Sequence, residues 1–160
     1  MIFVCLGTQD KEFKRLPLKI EELVNNRVIK EEVIMQVGTT KFSSNKIKVY
    51  DMMSMDKFAN CVKNCDLLIT HGGVGTILDA LKHNKKIIAF PRLAKYHEHV
   101  NDHQIQIINE FYNNGYLLTG EIDDMEKLIL KSKNFTPKKY KSNNYKFNKL
   151  IDDYIENMLK

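Results

Sequence analysis

The run His71-Gly-Gly-Val-Gly-Thr76 places three glycines within four positions. If it joins a buried strand to a helix, a ligand can reach bare backbone amides there. The partial positive charge of a helix N-terminus then favours a phosphate or diphosphate. His71 and the Thr76 hydroxyl add side-chain donors to Gly72, Gly73 and Gly75. No Gly-Lys-Ser/Thr follows, so this is not a Walker loop, and the spacing is not G-x-G-x-x-G. Asp79 lies one helical turn beyond Thr76 on a similar face. It can accept hydrogen bonds from ribose hydroxyls, or it can simply be a charge near the helix N-terminus.

A second polar cluster is Pro91-Arg-Leu-Ala-Lys-Tyr-His97-Glu98-His99-Val-Asn101-Asp102-His103-Gln104. Its mix of donors and acceptors suits a polyhydroxyl ligand. Zinc held by His97, His99 and His103 is a second reading, without support from a cysteine pair or H-E-x-x-H. A solvated helix start is the third.

These residues need a scaffold, and the chain alternates strand-like with helix-like segments. Apolar runs at Ile2–Leu6, Val33–Val37, Lys48–Tyr50, Asp66–Thr70, Lys86–Phe90 and Tyr116–Leu118 read as short strands. Helical spacing appears at Phe13, Leu16, Ile20, Leu23 and Val24, with Pro17 blurring the start. Ser54 is a candidate cap for a helix carrying Met55, Phe58, Ala59 and Val62. A further helix is expected from His99 to Tyr112, and Asp123 with Glu126 forms a capping-box pattern. Such repetition predicts an α/β fold with a Rossmann-like parallel sheet and helices on both faces. Ligands of such sheets bind beyond the carboxyl ends of the strands, where the glycine turns fall. After Lys131 a polar, basic connector is expected up to Asn144. A C-terminal amphipathic helix then aligns Phe147, Leu150, Ile151, Tyr154, Ile155 and Met158. It either packs onto the domain or docks a partner.

Composition narrows the function classes. The chain has 160 residues, 43% hydrophobic and 28% charged, which excludes disorder and suits one globular domain. Its +5 charge is nearly all lysine, with arginine only at Arg15, Arg27 and Arg92. Groove-reading proteins lean on bidentate arginine, so no nucleic-acid partner is expected. Cys5, Cys61 and Cys65 are odd in number and lack C-x-x-C spacing, so reduced thiols are expected. No basic leader segment and no apolar run of ~20 residues is present, which predicts a soluble, cytoplasmic protein.

Together, His71–Leu81 and Glu98–Gln104, with Phe3-Val-Cys-Leu-Gly7-Thr8 and Val33–Gly38, resemble the glycosyltransferase family 28 C-terminal domain. That domain is the donor-binding, C-terminal half of two-domain GT-B enzymes, and the likeness spans residues 1–130. Residues 131–160 would be the linker and helix, a possible partner dock. The chain is more similar still to stand-alone members. These are the small catalytic subunit of the eukaryotic dolichol-linked N-acetylglucosaminyltransferase and bacterial capsule or exopolysaccharide β-1,4-galactosyl- or glucosyltransferase subunits.

The resemblance implies a UDP-hexose donor and a lipid-linked saccharide acceptor. It also implies a separate membrane-associated, acceptor-binding subunit that would hold this one at the inner face of the plasma membrane. Gly7, Thr8 and the 71–76 turn would face the diphosphate, with Met52 at the uracil pocket. Asp79 would take the ribose, and Asn101, Asp102, Gln104 and, more weakly, Glu98 the ribose or sugar hydroxyls. His71 would stabilise departing UDP, with no cofactor or metal and with the general base supplied by the partner. A nucleotide-sugar-binding regulatory module and a membrane-complex scaffold are the non-enzyme alternatives.

Overall fold

The computed structural model describes residues 1–141 and 145–159, without the side chains of Met158 and Leu159. Ser142–Asn144 of the expected connector, Lys160, and the expected apolar contact of Met158 lie outside the described set.

Six parallel strands form one sheet in the order β3-β2-β1-β4-β5-β6. They are β1 (Ile2–Cys5), β2 (Val33–Gln36), β3 (Lys48–Tyr50), β4 (Leu67–Thr70), β5 (Lys86–Ala89) and β6 (Leu118–Thr119). The order reverses between β1 and β4, whose register pairs Ile2 with Leu67 and Cys5 with Thr70. Such a switch point opens a crevice at the carboxyl ends of the two strands. Both strands are buried throughout, which is why they are continuous apolar runs rather than alternating ones.

Residue alternation along β1 divides the core into two layers. Ile2, Val4 and Leu6 join Leu16, Ile20 and Leu23 of α1 (Arg15–Asn25) and Met125, Leu128 and Ile129 of α5 (Met125–Asn134). Phe3 and Cys5 face the other layer. There they meet α2 (Met55–Asn64), α3 (Val74–Lys82), α4 (His103–Asn113) and α6 (Tyr145–Leu159).

Local chemistry explains most boundaries. Pro17 sits in the first turn of α1, where its missing N–H costs no helical bond. Ser54 caps α2 by accepting from the Lys57 amide at 3.3 Å. Of the expected apolar positions in α2, Met55 and Ala59 are exposed, and Cys61 and Val62 carry the packing.

Four expectations need correction. The connector expected from Lys131 begins only after Asn134, because α5 continues to that residue and buries Ser132. The fourth helix starts at His103 rather than His99, because residues 94–96 form a short 3-10 turn that ends at His97 with φ 57°. Another 3-10 turn at Ile122–Asp124 displaces the expected capping box, so α5 starts without a side-chain cap. The sixth strand shrinks to two residues, with Tyr116 and Leu117 buried just before it.

The C-terminal segment folds back onto the domain. The amide of Lys138 donates to the Gly115 carbonyl at 2.9 Å. Phe147 lies edge-on to Phe111 at 5.2 Å between centroids, and Tyr116 is within 5.8 Å of Tyr140. Phe147 and Ile151 are buried there, a seat that aromatic packing reinforces. No described helix is long and apolar enough to cross a membrane.

Candidate functional site

The crevice between β1 and β4 is a cavity of about 370 Å³. The turns after both strands form it, joined by Gln36, His99, Gln104 and side chains of the α2, α3, α4 and α6 layer. Of the residues expected to bind a donor, Gly7, Thr8, His71, Gly72, Gly73, Gly75, Thr76 and Gln104 line it.

Helix α3 begins at Val74 with Gly73 as its cap residue and no capping side chain. The first amide of this turn with an acceptor on α3's own cap is Ile77, bonded to the Gly73 carbonyl at 3.2 Å. The amides of Gly73, Val74, Gly75 and Thr76 take no protein acceptor among the described residues. Unspent helix-end amides in a cavity constitute an anion site by geometry and dipole together.

His71 is buried, and its ring packs between the backbones of Gly7 and Gly73. A Cβ at either glycine would overlap the imidazole. Gly7 also adopts φ +80°, a conformation that favours glycine. Gly72 has another neighbour, since its Cβ would stand 2.7 Å from that of Gln104. Gly75 alone among the three turn glycines faces open space.

Burial pushes the His71 imidazole down to about 3, with the Arg92 guanidinium and His99 acting in the same direction. The ring is therefore neutral near pH 7 and carries one N–H. Its Nδ1 is buried and unpartnered among the described residues. The positive charge at this site belongs to Arg92, whose side chain is 1% exposed. Its guanidinium donates to the carbonyls of Leu6 at 2.6 Å, Lys11 at 2.7 Å and Glu98 at 3.1 Å. Desolvation lowers its proton affinity, yet guanidinium keeps its charge in proteins.

Gln104 ties the two loops. Its Oε1 accepts from the Gly72 amide at 3.1 Å and the Arg92 amide at 3.0 Å. Two backbone donors orient the side-chain amide, so its NH2 group remains for another acceptor. The Gly72 amide, expected to meet the diphosphate, is thereby already committed.

The remaining expected residues do not line this cavity. Glu98 is 3% exposed and accepts a two-point ion pair from Arg15, at 2.6 and 2.8 Å, and the Leu93 amide at 3.0 Å. Asp102 accepts from the Ala94 amide at 2.9 Å, and Asn101 Oδ1 from the His103 amide at 3.1 Å. These three are wired into the protein, Asn101 and Asp102 within their own loop and Glu98 chiefly to Arg15 of α1, rather than held open for sugar hydroxyls. Met52 is exposed outside the wall, while the next amide, of Met53, donates to Gln36 Oε1 at 2.8 Å. Asp79 is half-buried on α3 and has no partner among the described residues. The three cysteines are free and buried. No cluster of three metal-ligating side chains occurs among the described residues. His99 instead meets the Gln9 amide at 3.0 Å and accepts from the Asn101 amide at 3.2 Å.

Arg15, Gln36 and Ile155 were missed as parts of this neighbourhood, and Arg92 was placed in the second polar cluster without a role of its own. A signal existed for the two arginines, because arginine is scarce in a chain whose cations are nearly all lysine. A scarce arginine where lysine would serve for solubility marks a position that needs a planar, multidentate donor.

Comparison with known proteins gives concordant findings. Residues 1–157 match the glycosyltransferase family 28 C-terminal domain. The UDP-N-acetylglucosamine transferase subunit ALG13 of Candida albicans is 25% identical over 92 residues, covering 58% of this chain and 30% of that protein. Its Candida glabrata counterpart is 28% identical over 114 residues, covering 65% and 50%. The chain thus spans half or less of the curated relatives it matches. A solution structure of ALG13 superposes with a TM-score of 0.57 at 20% identity, covering 93% of each chain. The glycosyltransferase of kitacinnamycin gives 0.59 at 13% identity, covering 82% of this chain and 34% of that one. At those identities the two structures speak for the fold.

Proposed function

Because the chain belongs to the glycosyltransferase family 28 C-terminal domain, we propose that it is the donor-binding subunit of a UDP-hexose transferase. The observation that carries this reading is the row of unspent amides, Gly73 to Thr76, beside neutral His71 in the crevice between β1 and β4. In this reading the diphosphate of the donor lies on the N-terminus of α3. Thr76 and the imidazole N–H add hydrogen bonds, and buried Arg92 supplies a fixed positive field from behind. Asp79, one turn further along α3 and unpaired among the described residues, accepts from ribose hydroxyls.

Transfer proceeds with inversion. An acceptor hydroxyl oxygen bonds to C1 of the sugar as the bond from C1 to the diphosphate oxygen breaks. The hydroxyl proton passes to a base, and the electron pair leaves with UDP. His71 is a poor candidate for that base, because burial holds its proton affinity so low. We assign the base, and the lipid-linked saccharide acceptor, to a separate membrane-associated subunit. That subunit would also bring the chain to the cytoplasmic membrane face. No bound metal is needed, since helix-end amides and Arg92 meet the developing charge. The relatives named UDP-N-acetylglucosamine transferase subunits make N-acetylglucosamine the first sugar to test. Glucose and galactose, the sugars of the capsule and exopolysaccharide systems, stand beside it.

The test is co-expression with a candidate acceptor-binding subunit, followed by transfer assays with the three UDP-sugars. Transfer is expected only from the pair, and it is expected to fall at least tenfold in His71→Gln. UDP binding without transfer by any pair would favour the regulatory module. Full-rate transfer by this chain alone would overturn the division of labour.

A further inference from the structure

The crevice has a wall that the glycine turns do not provide. Beside Phe58 of α2, Val74 of α3 and Ile107 of α4, it is lined by Ile155 of α6. Ile155 is half-buried against the helical layer of the core. It is held there at a distance, through the two buried residues Phe147 and Ile151. Phe147 sits against Phe111 and Tyr116, each at 5.2 Å, and Tyr140 donates from its hydroxyl to Asn148 Oδ1 at 2.9 Å. Helix α6 is therefore clasped at its first half, while its second half delivers an apolar side chain to the candidate site.

We propose that Ile155 is a contact wall of the donor site, so that the seating of α6 sets donor affinity. This rests on the reading of the crevice as a UDP-sugar site. The amides of α3 serve the charged part of such a donor, and Ile155 with Val74 and Ile107 serves an apolar face of its base or sugar. Removing part of that wall exposes apolar ligand surface to water. Linkage adds a second consequence. If seated α6 strengthens donor binding, bound donor must stabilise seated α6 by the same factor.

The experiment is calorimetric titration of the full chain with UDP and UDP-N-acetylglucosamine, for wild type, Ile155→Ala and Leu150→Ala. Leu150 lies on the same helix, is 39% exposed and does not line the crevice. Ile155→Ala is expected to weaken at least one of the two ligands by about fivefold, in a protein that stays folded with a modestly lower melting temperature because Ile155 is half-buried. Leu150→Ala is expected to leave both affinities as they are. Saturating ligand is expected to slow hydrogen exchange of the α6 amides in wild type by a similar factor. If wild type binds and Ile155→Ala binds equally well, with α6 exchange insensitive to ligand, the wall is wrong and the donor site stands. If wild type binds neither ligand, the donor reading itself falls.

Discussion

The turn after β4 and the loop after β5 close the same end of the sheet and spend their polar groups in opposite ways. In the first, four successive amides find no protein acceptor among the described residues, and its glycines admit a neutral imidazole. In the second, Glu98, Asn101, Asp102 and all of the Arg92 guanidinium but its Nε are engaged by hydrogen bonds within the protein. Gln104 bridges the two. The polar-rich segment is thus the buttress, and the segment poor in side chains is the candidate site. Backbone amides on a helix end cannot rearrange away from a ligand, whereas long charged side chains satisfy each other unless packing forbids it.

The strongest way to break this contrast is to attack the buttress. Arg92→Met strands three carbonyls, and Glu98→Ala strands the Arg15 guanidinium over a fully buried position. Losing one partner of a buried charged network typically costs about 3–5 kcal/mol. Arg92→Met is therefore expected to lose about 3 kcal/mol or more in urea denaturation, and Glu98→Ala less, because the partner Arg15 is partly exposed to water. In Glu98→Ala, whose side chain has no part in the proposed donor site, an unshifted denaturation midpoint together with abolished UDP binding would show that the loop is a ligand site after all.

The fold was readable because burial on both faces writes itself as short apolar runs ended by glycine or proline. The order of those runs implied the parallel sheet and the crevice. The strand-to-helix position of the glycine turn was readable for the same reason, but not that His71 and Gln104 pack against two of its glycines. What escaped was everything decided by tertiary proximity. Glu98 and Asp102 have the same donors and acceptors available whether they face a sugar or a neighbouring amide, and only loop geometry chooses. The start of α4 failed with them, because the same wiring holds residues 94–102 out of helix. The charge state of His71 depends on its burial beside Arg92, which no spacing rule encodes. Ile155 reaches the crevice from the far end of the chain, where periodicity indicates an apolar face but not its destination.

Within the site, the glycines themselves separate fold from ligand. Gly73→Ala drives a methyl into the His71 ring, so UDP affinity is expected to fall more than tenfold, with about 1–2 kcal/mol of stability. Gly75 faces open space within the first turn of α3, where alanine is a better helix former. Gly75→Ala is expected to leave the melting temperature equal or higher and to weaken UDP severalfold, because its methyl would stand where the proposed site brings the diphosphate to the amides. Thermal melts and titrations of the pair decide the matter. Unchanged affinity in Gly75→Ala would move the ligand off the end of α3.

The smallest effect sharpens the contrast through pH. His71 is neutral in the fold down to about pH 3, whereas in the unfolded chain it takes a proton near pH 6.5. Between those values the unfolded state binds the extra proton, so stability is full above about pH 6.5 and declines as pH falls. His99, also held below the usual histidine range by burial, acts in the same direction. One such group contributes a slope of at most about 1.4 kcal/mol per pH unit, and about 1 kcal/mol is expected between pH 6 and 5. His71→Gln removes the titrating group without charging the cavity, so its stability is expected to decline less steeply over that interval. Urea midpoints at pH 7, 6 and 5 for both proteins measure the difference. Parallel curves would mean that the imidazole is hydrated or paired in solution. In that case the cavity is wetter than its glycine walls imply, and the charge at departing UDP would be met by a protonated His71 rather than by amides and Arg92 alone.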